Sequence, residues 1–228
     1  MTKQQARRGT NRQNNGPIIG LLVLGGLTVA AIIGLFLLID SGGGDSTVAP
    51  PVDASMLVTT DAWQTGDGNE PVTVVEFLDL ECEACRAAHP VVQQIIADYE
   101  GQINYVVRNF PNHNNSVLAA RAAEAAGEQG KYWEMFNKLF EAQPEWGEKE
   151  EPQTEAFISY AAELGLDMDA FMQSLNSGDY IEKIEQDRED GIAAGVNATP
   201  TFFINGERQV GVMDYETFAA KINEALAN

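Results

Sequence analysis

The 228-residue chain is poor in cysteine, histidine and cationic side chains, and each shortage narrows what it can do. Its two cysteines, Cys82 and Cys85, stand three positions apart, so no disulfide framework can hold the fold together. With no second Cys-x-x-Cys, a zinc site built on them would have to recruit both histidines, His89 and His113, and no metal or cofactor is expected. Only 14 Lys and Arg face 34 Asp and Glu, and four of the basic groups (Lys3, Arg7, Arg8, Arg12) precede the first acid, Asp40. The rest of the chain is therefore strongly anionic. Such a surface repels phosphate backbones and anionic lipid, which argues against nucleic-acid binding. It serves solubility, or steers basic and unfolded client chains.

Charge is missing altogether from Pro17 to Ile39, an uninterrupted apolar stretch of 23 residues. A helix rising about 1.5 Å per residue would span about 35 Å there, enough for a hydrocarbon core of about 30 Å. The stretch outruns a cleaved signal's usual apolar region, and no small-x-small site follows at once. The expectation is an uncleaved anchor over 17–39 behind a basic tail over 1–16. By the positive-inside rule the tail stays in the cytoplasm, giving a single-pass cell-membrane protein with an extracytoplasmic domain. Residues 40–55, with Gly42-Gly43-Gly44 and Pro50-Pro51, read as a flexible linker, and 56–228 as the folded domain.

Within that domain Val72–Leu80 suits a strand buried on both faces, with Glu76 as its anomaly. A helix is expected over Glu83–Tyr99, with Ala87, Val91, Ile95 and Ile96 at helical spacing and Pro90 kinking it. Ile103–Arg108 reads as a second strand, parallel to the first. A helical block over about 115–192 follows, with core aromatics Trp133, Phe136, Phe140, Phe157 and Tyr160. Phe171, Met172, Leu175, Ile181, Ile184 and Ile192 mark its later helices. Thr201–Ile204, the turn Asn205-Gly206 and Glu207–Val212 form a hairpin, and Asp214 caps a last helix carrying Phe218, Ile222 and Leu226. The order describes a small α/β sheet interrupted by a helical insertion.

A Cys-x-x-Cys where a strand hands over to a helix has a physical logic. The first sulfur meets unpaired N–H groups at the helix start, which favour a thiolate, and the second sits one turn inside, placed to resolve a mixed disulfide. Cys82 and Cys85 fit those two roles, although a zinc site, a short staple or two incidental thiols would also place cysteines here. Asp79 and Glu81 are expected to be solvated; His89 reads as a partly exposed side chain, and His113 is given no catalytic part.

The stretch VTVVEFLDLECEAC, Pro90, the long helical block and ATPTFFING together resemble DsbA-like thioredoxin-fold oxidoreductases, the membrane-tethered ones especially, over about Met56 to Asn228. The resemblance implies a thioredoxin-like α/β fold and a cis peptide at Thr199-Pro200 facing the cysteines, where a client could pair with Thr199 as an added strand. It also implies a buried acid at Glu76 that moves protons to and from Cys85. The activity implied is oxidation of exported proteins, with reoxidation by a separate membrane partner of the DsbB-like or vitamin-K-epoxide-reductase-like kind. A reductase or isomerase of the same fold, or a redox-inactive binding or chaperone module, are the alternatives. One departure stands out: Glu83-Ala84 lies between the cysteines where strongly oxidising relatives carry Pro-His, and a negative charge there disfavours the thiolate relative to histidine.

Overall fold

The computed structural model describes Val52 and residues 57–228. In chain order these form β1 (Trp63–Gln64), β2 (Val72–Leu78), α1 (Glu83–Asp98), β3 (Ile103–Asn109), α2 (Ser116–Gly127), α3 (Tyr132–Glu141), α4 (Gln143–Trp146), α5 (Thr154–Glu163), α6 (Met168–Ser177), α7 (Ile181–Ala193), β4 (Thr201–Ile204), β5 (Glu207–Val210) and α8 (Tyr215–Ala227). The sheet runs β1-β3-β2-β4-β5, with β3 parallel to β2 and the other neighbours antiparallel. This is the thioredoxin-like α/β arrangement, with α2 to α7 inserted between β3 and β4.

Five of the seven residues of VTVVEFL are apolar and nearly all seven are buried, so this run takes the central position of the sheet. Its carboxyl end turns at Asp79–Glu81 and feeds α1. That helix buries Cys85, Ala88, Val92 and Ile95, a 3-4-3 spacing that makes one stripe, while Ala87 lies outside it and is exposed. Pro90 faces solvent, and the helix runs through it.

The insertion buries Phe136, Phe140, Trp146, Phe157 and Phe171 in a core continuous with that of the sheet and α1, and the alanines of α2 let neighbouring helices approach closely. Arg108, fully buried in β3, ties this layer to the sheet. Its Nε bonds Asp187 at 2.6 Å, its Nη2 bonds Asp190, both on α7, and its Nη1 donates to the Leu57 carbonyl at 2.6 Å. Where α7 crosses the sheet, a Cβ on Gly191 would meet Phe77 and Phe110 at 2.8 Å, so only glycine permits that approach. In the β4–β5 hairpin Asn205 and Gly206 take φ of 46° and 84°, the two left-handed positions that a tight two-residue turn requires. Asp214 caps α8 by accepting from the Thr217 amide at 2.8 Å.

Several expectations are corrected. The two-residue strand β1 leaves no run that periodicity could detect. Met172, Ile181 and Ile192 lie in α6 and α7, where helices are expected, but on the exposed faces of those helices. The single-pass cell-membrane location, with a cytoplasmic amino terminus and an extracytoplasmic domain, is not borne out by the described helices. None among the described residues is long and apolar enough to cross a membrane. The longest, α1, has 16 residues, about 24 Å, and carries Glu83, Arg86 and Asp98. The expected tail over 1–16 and anchor over 17–39 lie outside the described residues, as does nearly all of the linker over 40–55.

Candidate active site

Cys82 occupies the N-cap position of α1, in extended backbone with φ of −72°, so its sulfur stands before the helix's first unpaired amides. It is half-buried, whereas Cys85, one turn on, is buried, and both are free thiols. The cis peptide Thr199-Pro200, just ahead of β4, faces them, and the Cys82 Sγ lies 3.6 Å from the Thr199 carbonyl oxygen. The structure thus brings Cys82 and Cys85 together with Thr199 and Pro200, which the family resemblance, rather than local sequence, assigns to this site along with Glu76.

The two sulfurs are electrically unlike. The thiol hydrogen bond from Cys85 pulls Cys82 down to about 5 against the opposing effect of burial, with further help from Thr199 and the amides of Cys85 and Ala84. Burial pushes Cys85 well above the ordinary thiol range, and its bond to Cys82 and the charge of Glu76 add to that. Cys82 can therefore act as a thiolate at neutral pH while Cys85 holds its proton. Glu83 is exposed on the first turn, and the largest influences on Cys82 come from the turn itself and from Thr199.

Glu76 sits mid-strand in β2 between Val107 and Phe202 of the flanking strands, and only 3% of it is exposed. The Tyr105 hydroxyl donates to it at 2.5 Å. Burial raises its pKa to about 8, the Tyr105 bond opposing and the charge of Cys82 adding to the rise. It is a neutral acid at pH 7, held within electrostatic reach of both sulfurs.

The expectation of solvated carboxylates at Asp79 and Glu81 fails, since they are only 2% and 1% exposed. The insertion supplies much of what compensates their burial. Asp79 accepts from the amides of Glu81 at 2.9 Å and Asn112 at 2.8 Å and meets His113 Nδ1 at 2.7 Å. Glu81 accepts from the amides of Asn115 at 2.6 Å and Glu148 at 3.0 Å. Gln143, buried at the start of α4, donates to the carbonyls of Leu80 at 2.8 Å and Cys82 at 3.1 Å, while Arg86 Nε donates to it at 3.1 Å. Three buried polar side chains thus pin the cysteine turn to the insertion, and none of them announces this in the sequence, because their partners are remote backbone groups. His89 packs against Phe136 and Phe140, and burial depresses it to about 4, so it stays neutral there. Among the described residues no three His, Cys, Asp or Glu are grouped to hold a metal ion.

A thioredoxin family profile matches residues 58–224. The thiol-disulfide exchange protein α-DsbA2 from Wolbachia pipientis is 28% identical, with a TM-score of 0.65 over 75% of this chain and 90% of that one. Oxidised BdbD from Bacillus subtilis is 25% identical, with a TM-score of 0.65 over 72% of this chain and 92% of that one. Among curated proteins, the Na(+)/H(+) antiporter NhaA of Herminiimonas arsenicoxydans is 38% identical over 155 residues, which is 68% of this chain. The chain spans only about a quarter of the length of the curated antiporters it matches.

Proposed function

This chain belongs to the thioredoxin family and is a thiol:disulfide oxidoreductase, and from that footing we propose that it works as an oxidase, passing the Cys82–Cys85 disulfide to thiols of exported proteins. The observation that carries this reading is the pull on Cys82, down to about 5. A sulfur so stable as thiolate is a good leaving group and favours the reduced enzyme, and a disulfide whose reduced form is stabilised is readily given away.

In the proposed cycle a client thiolate attacks the Cys82 sulfur, the S–S bond breaks, and Cys85 leaves with the electron pair. Glu76, neutral at pH 7, is the nearby acid that can return a proton to that sulfur. A second client thiolate then attacks the client's own sulfur in the mixed disulfide, forming the client's disulfide and releasing Cys82 as thiolate. The client has lost two electrons and two protons; the enzyme holds the electrons as a Cys85 thiol and a Cys82 thiolate, one proton restores Glu76 and the other passes to water. The backbone of Thr199 beside the sulfur is the proposed docking edge for the client segment. A separate protein, of the DsbB-like or vitamin-K-epoxide-reductase-like kind, is proposed to take the electrons on, and no cofactor of the chain's own is invoked.

Equilibrating the purified chain with glutathione buffers tests the direction. An oxidase should sit nearer the roughly −120 mV of strong oxidants than the roughly −270 mV of thioredoxin. A value at the thioredoxin end would refute the oxidase and assign a reductase. Replacing Cys85→Ser should trap clients as mixed disulfides on Cys82, and a Cys82→Ser chain that still oxidised clients would sink the enzyme reading altogether.

A further inference from the structure

Behind the reactive sulfur lies a second ionisable pair that the exchange chemistry above leaves unused. Asp79 turns its backbone carbonyl to the Cys82 amide at 3.0 Å and its carboxylate to His113 Nδ1 at 2.7 Å. The His113 amide is held by Ser116 Oγ at 3.0 Å, which anchors its backbone, while the side chain remains 43% exposed and open to protons from water. The ionisable groups facing it across the cysteine turn are Asp79, Glu81 and Cys82, all acids. From the insertion, Asn115 and Glu148 meet the same turn through backbone amides, and Ser116 through a neutral hydroxyl.

We propose that His113 is a positioning residue for disulfide exchange: as an imidazolium on Asp79 it neutralises the carboxylate beside the Cys82 turn and so favours the ionised sulfur. Burial opposes the charged ring, but the bond to Asp79 and the negative charges of Asp79, Cys82 and Glu81 outweigh it and raise His113 above its ordinary range. While the ring is charged, Cys82 faces a neutral pair. Once the ring loses its proton, Asp79 presents an unopposed negative charge to a thiolate of the same sign, and the thiolate is disfavoured. The inference rests on the reading of Cys82 as the nucleophile.

Thiolate absorbance of the reduced full-length chain, followed against pH, tests both readings separately. His113→Asn keeps a donor for Asp79 without the charge and should raise the Cys82 pKa by about half a unit or more, whereas His113→Lys should restore it. Coupling is reciprocal, so in the unmutated chain the His113 NMR titration should shift down by a similar amount when Cys82 is blocked by methylation. The chain has only two histidines, and His89 titrates near 4, so the signals separate. A native Cys82 that titrates like an ordinary thiol overturns the nucleophile reading. A low native value that His113→Asn leaves in place, with a His113 titration indifferent to Cys82, overturns this inference alone.

Discussion

Replacing Glu76 by glutamine should change the pH dependence of stability in a way that can be worked out from its surroundings. In the folded chain the carboxyl is buried in the central strand and titrates near 8, against 4.5 in an unfolded chain. Its folded pKa is raised, so its contribution to stability is intact below 4.5 and is lost as pH climbs toward 8. The slope is about 1.4 kcal/mol per unit, and at pH 7 the loss reaches about 3 kcal/mol. Glu76→Gln cannot ionise and does not suffer that loss. The Tyr105 hydroxyl, 2.5 Å from Glu76, can still donate to the amide oxygen, but the amide's own hydrogens find no acceptor, a cost of about 1 to 3 kcal/mol that does not vary with pH. The variant therefore starts below wild type at pH 4.5 by that cost, and the difference between the two should move about 3 kcal/mol in its favour by pH 7. Urea denaturation of both reduced proteins at a series of pH values measures this directly, since the titration of Cys82 is common to both and cancels to first order. Parallel stability curves from pH 4.5 to 8 would refute the buried neutral acid and, with it, the proposed proton donor to Cys85.

Two further substitutions probe how the site is held. Gln143→Ala removes the donor to the carbonyls of Leu80 and Cys82 and the acceptor for Arg86, so it should cost about 1 to 3 kcal/mol and speed amide exchange in the cysteine turn; an unchanged urea midpoint would contradict the clamp. Arg108→Ala leaves the buried Asp187 carboxylate without its cation and should cost about 3 to 5 kcal/mol, read from denaturation at pH 7, where a loss under about 1 kcal/mol would mean that α7 docks without it.

Local signals made much of this molecule readable in advance. The near-continuous apolar run in Val72–Leu78, the Asn205-Gly206 turn, the Asp214 cap and the cysteine pair at a strand-to-helix handover each carry their cause within a few residues. The facing of Thr199-Pro200 toward Cys82 came through family resemblance, because nothing near Pro200 alone demands it. Asp79 and Glu81 were misread for a physical reason. Alternating acids in a turn look solvated, and what buries them is a set of amides and one imidazole up to 67 positions away. The expected face of α1 is one position off, at Ala87 rather than Ala88, because the adjacent pairs Ala87-Ala88, Val91-Val92 and Ile95-Ile96 fit either stripe. Met172, Ile181 and Ile192 mark helices that form, but helical rotation turns these three side chains outward.

The contact between Cys82 and Thr199 joins positions 117 residues apart. Before the chain has folded, Cys82 lacks the thiol hydrogen bond from an ordered Cys85, the Thr199 side chain and the amides of the helix start that together make it acidic, and it is an ordinary thiol. Nucleophilic power is thus withheld from the nascent polypeptide and switched on by folding itself, so a newly made copy has little means of cross-linking to bystanders before its own architecture is complete.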